Sequence, residues 1–175
     1  MSQTEPALLS GKTTIWLLML TVIILFGTLT FTFVASVSSD VQIPVPPLFY
    51  LNTLLLIASS VFMHLAMIKE DEKAAIPHLK IALALGAGFI GSQLYAWYQM
   101  VQIGLSLSSG GRVVSYLYVL SGLHGVHIIG GLIFITVVAQ KLRKGKTEYL
   151  EMATWFWHFL GMLWIFLLAI IALHT

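Results

Sequence analysis
The sequence predicts an all-α integral membrane protein, a bundle of five transmembrane helices with a cytoplasmic N-terminus and a periplasmic C-terminus. Three observations carry that prediction. Of the 175 residues, 58% are hydrophobic and 9% charged, where a soluble domain has roughly 45–50% apolar and 25% charged residues. Five apolar stretches each reach the length of about 20 residues that crosses a hydrocarbon core roughly 30 Å thick. Basic residues cluster on alternate sides of those stretches, as the positive-inside rule requires of short cytoplasmic loops.

The spans follow one another with clear punctuation. After a polar tail, the first runs over about 14–37 and is too long for a signal-peptide core, with no small-residue cleavage site behind it. Ser38, Ser39 and Asp40, with Pro44, Pro46 and Pro47, break the chain before a second span at about 48–68. Lys69 to Pro77 separates this from a third at about 79–105, and Ser106 to Arg112 leads to a fourth at about 113–140. Lys141 to Glu151 precedes the fifth, at about 152–173. The spans fill most of residues 1–175, which read as a single transmembrane domain.

Lys12 precedes the first span, Lys69, Lys73 and Lys80 lie between the second and third, and Lys141, Arg143, Lys144 and Lys146 lie between the fourth and fifth. Only Arg112 falls on the other side. The asymmetry places the N-terminus and both basic loops in the cytoplasm, and an odd number of spans then puts His174 and Thr175 outside.

Inventory excludes several chemistries. There is no cysteine, hence no disulfide, thiolate metal site or cysteine nucleophile. A formal net charge of +2 gives no reason to expect a nucleic-acid partner. No nucleotide fingerprint, phosphate loop or nucleophile elbow is present, and no internal repeat suggests a duplicated transporter. No Asp or Glu lies inside any span, whereas membrane proton carriers usually hold ionisable groups at midplane.

Polar and small side chains gather where membrane helices meet. Ser121, His124, Gly125, His127 and Gly131 form one such stripe on the fourth span, and Thr154, His158, Gly161 and Ile165 another on the fifth. The third span offers Gly88, Ser92, Tyr95, Gln99 and Gln102, the second Asn52, Ser59, Ser60 and His64. Three readings of the histidines compete. His124, His127 and His158 can hold helices in register as neutral hydrogen-bonding groups. Haem ligation would need two histidines at one depth on different helices, which His64 and His158 satisfy and His127 and His158 do not. A metal or proton-relay role is the third, although a site on His124 and His127 lacks an acidic or thiol third ligand. Trp97, Trp155, Trp157 and Trp164 read as interface anchors and packing residues.

The run from Ser121 to Gly131, Ser-Gly-Leu-His-Gly-Val-His-Ile-Ile-Gly-Gly, followed by Trp155-Phe156-Trp157-His158-Phe159, resembles the signature of subunit III of haem-copper terminal oxidases, in its short five-helix bacterial form. Leu51 to Ser60 on the second span and Gly91-Ser92-Gln93-Leu94-Tyr95-Ala96-Trp97 on the third are similar to the corresponding helices, so four of five spans agree in order. Departures are informative. Where the family usually carries a glutamate in the third span this chain has Ala96, its acidic residue in the first span has no counterpart within Thr21 to Phe26, and an aspartate that often follows Trp-His-Phe is Gly161. The roles of those carboxylates in lipid binding and in oxygen or proton traffic do not carry over.

The resemblance implies a non-catalytic accessory subunit of a respiratory oxidase that reduces oxygen to water and translocates protons, in the bacterial inner membrane. Haems and copper would belong to partner subunits, and this chain would hold no catalytic, cofactor or metal residues. His124, His127, His158, Ser121 and Gln93 would act as structural interhelical polar groups. Implied partners are catalytic subunit I, the other oxidase subunits and phospholipids, with a respiratory supercomplex as a wider assembly. Lys69, Lys73 and Lys80 would meet lipid head groups. A V-shaped arrangement is also implied, with the first two spans leaning away from the last three around a lipid-filled cleft. The alternatives are a related small subunit of a nitric oxide reductase system and a haem-binding, quinol-reactive membrane anchor.

Overall fold
The computed structural model describes residues 11–36, 45–69, 71–108, 111–142 and 148–173. These form five helices, α1 (Gly11–Ser36), α2 (Pro47–Met67), α3 (Glu72–Gln102), α4 (Gly111–Leu142) and α5 (Glu148–Leu173), with no strand among the described residues. All five are long and apolar enough to cross a membrane. Ser38, Ser39, Asp40 and Pro44, the basic residues Arg143, Lys144 and Lys146, and His174 and Thr175 lie outside the described residues.

Local chemistry explains the helix ends. Pro46 stands at the N-cap position of α2 without a side-chain cap bond, and Pro47 opens the helix, a position where the missing N–H is of no consequence. Asp71 caps α3 by accepting the Lys73 N–H at 3.0 Å. That cap starts the helix at Glu72, well before the expected start at residue 79, and the helix runs on through Pro77. α3 ends in a Schellman turn: Gly104 has φ +82°, its N–H meets the Val101 carbonyl at 3.0 Å, and the Leu105 N–H meets that of Met100 at 2.9 Å.

Packing makes a ring of four with one helix outside it. α2 lies against α3 and α5, and α4 closes the ring by packing on the same two neighbours. α1 sits in the groove between α4 and α5 and touches neither α2 nor α3. This corrects the expected V shape: α2 belongs to the core, and α1 alone is peripheral. The cause is chemical, because α2 carries Asn52, Thr53 and Ser59 into the ring and binds partners on α3 and α5. On α1, Thr21, Thr28 and Thr32 instead donate to carbonyls of their own helix at 2.7 to 2.8 Å.

Trp157 of α5 is the centre of the ring. A Cβ at Gly86 of α3 or at Gly131 of α4 would come within 2.9 Å of its indole ring, so the two glycines form the slot that admits it. Its Nε1–H donates to Ser59 Oγ on α2 at 3.0 Å, and Ser59 Oγ donates to the Ala82 carbonyl of α3 at 2.8 Å. One side chain therefore touches every other member of the ring.

Three of the expected stripes differ from the structure, the one on α2 only at His64, which is exposed. On α3 the inward face is Ala82, Gly86, Phe89, Gln93, Ala96 and Met100, while Gly88, Tyr95, Gln99 and Gln102 point outwards and Ser92 is half-buried. The bundle selects small residues that admit Trp157, and the exposed Tyr and Gln residues lie towards the end of the helix, where amphipathic side chains meet the membrane interface. On α5, Ile165 is exposed, whereas Thr154 and Gly161 are buried.

The wedge sets up a graded test. Trp157→Ala should destabilise the chain by roughly 3–5 kcal/mol, whereas Trp157→Phe, which keeps a ring and loses the N–H, should cost about 0.6 and at most ~1.7 kcal/mol. Thermal unfolding in detergent measures both. Equal losses would show that the slot does not grip the indole.

Candidate functional site
The polar groups of the ring occupy three levels. At the first, Asn52 Nδ2–H donates to Gln93 Oε1 at 2.7 Å, both residues fully buried, and Trp164 Nε1–H donates to Thr53 Oγ1 at 3.1 Å. Trp157 and Ser59 form the second. At the third, Trp97 Nε1–H donates to Ser121 Oγ at 3.1 Å, while Ser121 donates to the Leu117 carbonyl at 2.6 Å. Nearby, the Tyr118 hydroxyl donates to the Leu105 carbonyl at 2.9 Å. Three indoles thus donate to three hydroxyls on neighbouring helices.

Of the residues expected to bond between helices, Ser121 and Gln93 do so. The histidines behave differently. His127 is half-buried and places Nδ1 2.7 Å from the Leu123 carbonyl of its own helix, with its ring against Phe26 at 5.4 Å. His124 is 0% exposed, and neither ring nitrogen has a hydrogen-bond partner. It is enclosed by Trp164, Phe89 and Phe26, at ring-centre distances of 5.2, 5.8 and 6.3 Å. His158 makes no hydrogen bond among the described residues but faces His64 of α2, ring centres 6.0 Å apart. In a bundle whose indoles supply the donors, His124 and His127 serve as ring surfaces. Lys69, Lys73 and Lys80 are exposed at the end where α2 meets α3.

The donor set does not suit a redox centre. The chain has no cysteine, and among the described residues no three His, Asp or Glu side chains come together. Haem between His64 and His158 would need a slot for the macrocycle. Beside them α2 and α5 are in direct contact, with Ser60 Oγ 3.3 Å from where a Cβ on Gly161 would stand, so no such slot opens between the helices. What the arrangement does is fix helices.

Residues 12–174 match the family described as cytochrome c oxidase subunit III. The chain belongs to that family. It is 30% identical to cytochrome c oxidase subunit 3 of Alkalihalophilus pseudofirmus, over 98% of this chain and 92% of that one. It is also 30% identical to cytochrome bo(3) ubiquinol oxidase subunit 3 of Pseudomonas putida, over 94% and 87%. The similarity to a probable cytochrome c oxidase subunit 3 of Rickettsia bellii, again 30%, covers 67% of this chain and 45% of the longer relative. As a member of the subunit III family, this multi-pass membrane protein is an accessory subunit of a haem-copper oxidase, and its polar core reads as that subunit's internal scaffold.

Sequence reasoning missed the three indole donors and Thr53. The signal was present: Trp157 and Trp164 are seven residues apart and share a helix face, opposite glycines one or two turns apart on the third and fourth spans.

The contrast between a bonded pair and an unbonded ring is measurable. Asn52→Leu strands the buried Gln93 amide and should cost about 1–3 kcal/mol, whereas His124→Leu removes no hydrogen bond and should be neutral or stabilising. Melting temperatures of the two variants in one detergent decide the point. A large loss in His124→Leu would mean that its ring nitrogens are engaged.

Proposed function
We propose that the chain is the non-catalytic third subunit of a respiratory oxidase in the bacterial cytoplasmic membrane, packed against catalytic subunit I, with its N-terminus and Lys-rich ends in the cytoplasm. The haems and copper that reduce oxygen to water and drive proton translocation belong to its partners. One observation carries this reading: the buried Asn52, Ser59, Gln93 and Ser121 are spent on joining helices, as a scaffold requires. Both a cytochrome c oxidase and a ubiquinol oxidase contribute relatives, so either electron donor suits the scaffold.

Phospholipid fits the peripheral position of α1. A groove of about 390 Å³ is lined by Ile15 and Leu18 of α1, Val126, His127 and Gly130 of α4, and Phe156 of α5. Its walls suit an acyl chain. A second cavity, about 270 Å³, lies between Trp16 and Trp155 beside the Lys12–Glu151 ion pair, 3.2 Å long. Indole rings and a charged pair are the groups that meet lipid at head-group depth. Lys69, Lys73 and Lys80 supply further cationic contacts at the same end of the bundle.

In a strain lacking this chain, the purified oxidase should lose activity progressively during sustained turnover and carry less tightly bound phospholipid. Oxygen consumption followed over many turnovers, with lipid mass spectrometry on the same preparation, measures both. An oxidase that assembles and keeps its full activity without the chain would sink the proposal.

A further inference from the structure
His64 and His158 are the two described histidines that neither the packing nor the proposed role uses. His78 and His127 hold Nδ1 2.9 and 2.7 Å from the carbonyl four residues back, and His124 is sealed among three rings. His64 on α2 and His158 on α5 stand with ring centres 6.0 Å apart and planes inclined at 45°. Among the described residues neither makes a hydrogen bond. Their spacing is set from inside the bundle, because the adjacent Trp157 is bonded to Ser59 at 3.0 Å and Ser60 lies close against Gly161. Two imidazoles on separate helices are therefore held next to one another by contacts in which they take no part. His64 is exposed and His158 half-buried, so the pair opens to the outside of the bundle.

An imidazole nitrogen binds a zinc-class cation at about 2.0–2.1 Å, which puts the ring centre about 3 Å from the ion, so two rings at the roughly 109° angle of a tetrahedral ion stand about 5 Å apart. The observed 6.0 Å is about 1 Å longer, a gap that side-chain rotation of the exposed His64 closes. We propose that His64 and His158 form a two-histidine site for a divalent cation of the zinc, copper or nickel class, on the outer seam between α2 and α5. Imidazole nitrogen favours these ions over magnesium and calcium. With only two protein ligands, water completes the coordination, and the site is an exchangeable one.

The test uses the full chain in detergent, purified without a histidine tag and titrated calorimetrically with Zn2+ alone. One Zn2+ per chain should bind, and His64→Ala and His158→Ala should each weaken binding about tenfold or more, with His78→Ala unchanged and Mg2+ giving no response. Absence of Zn2+ binding, or binding that survives both variants, overturns the site. If either variant loses its helical circular dichroism, the unmodified chain decides through labelling with diethyl pyrocarbonate. Zn2+ should then shield His64 and His158 together while leaving His78 reactive, and equal labelling with and without Zn2+ overturns the site equally.

Discussion
The four-helix ring depends on the seating of Trp157. Inside a bilayer there is no hydrophobic drive to bring helices together, since lipid tails are as apolar as leucine, and association rests on close packing and on polar groups that need partners. Trp157 uses both. Its ring fills the slot left by Gly86 and Gly131, and its N–H, which would be unsatisfied in hydrocarbon, finds Ser59. Because the bond points to α2 and the ring to α3 and α4, the register of three helices is fixed against a fourth at one place.

The same device recurs with smaller contacts. Trp164 ties α5 to α2 through Thr53, and Trp97 ties α3 to α4 through Ser121. Indole suits this work because one end is a large apolar plate and the other a single donor. At the rim, Lys141 Nζ lies 3.7 Å above the Tyr149 ring, a cation–π contact that joins the end of α4 to the start of α5. Only α1 stands apart, with most of its surface facing outwards and the hydroxyls of Thr21, Thr28 and Thr32 turned back on its own backbone.

Much of this was legible in the residues. Helix number follows from apolar length, and Ser121, His124, Gly125, His127 and Gly131 form a legible inward stripe because glycine and serine have no reason to face lipid, although His127 is only half-buried. The faces of α3 were less legible. Gly88, Tyr95 and Gln99 look as polar or small as the true inward set, and what separates them is the shape of a side chain on a helix far away in sequence. The histidines misled for a related reason: a residue type names a capacity for hydrogen bonding, whereas use depends on what stands opposite. His124 meets three aromatic rings there. The pairing of α2 with α5 rather than with α1 is a tertiary fact that no local pattern encodes.

The position of α1 has a consequence for how the chain is built in the membrane. Its contacts are with the two helices made last, as the 139-residue separation of Lys12 and Glu151 illustrates. During synthesis the first helix must wait in lipid, without a docking surface, while α2 and α3 pair beside it. The helix that carries the central wedge is also the last of the five to be made, so the ring closes in a late step and cannot form progressively. Non-local contacts of this kind slow folding and prolong exposure of unpaired surfaces. A subunit assembled in this order gains from a partner that can hold its early helices until the final one arrives.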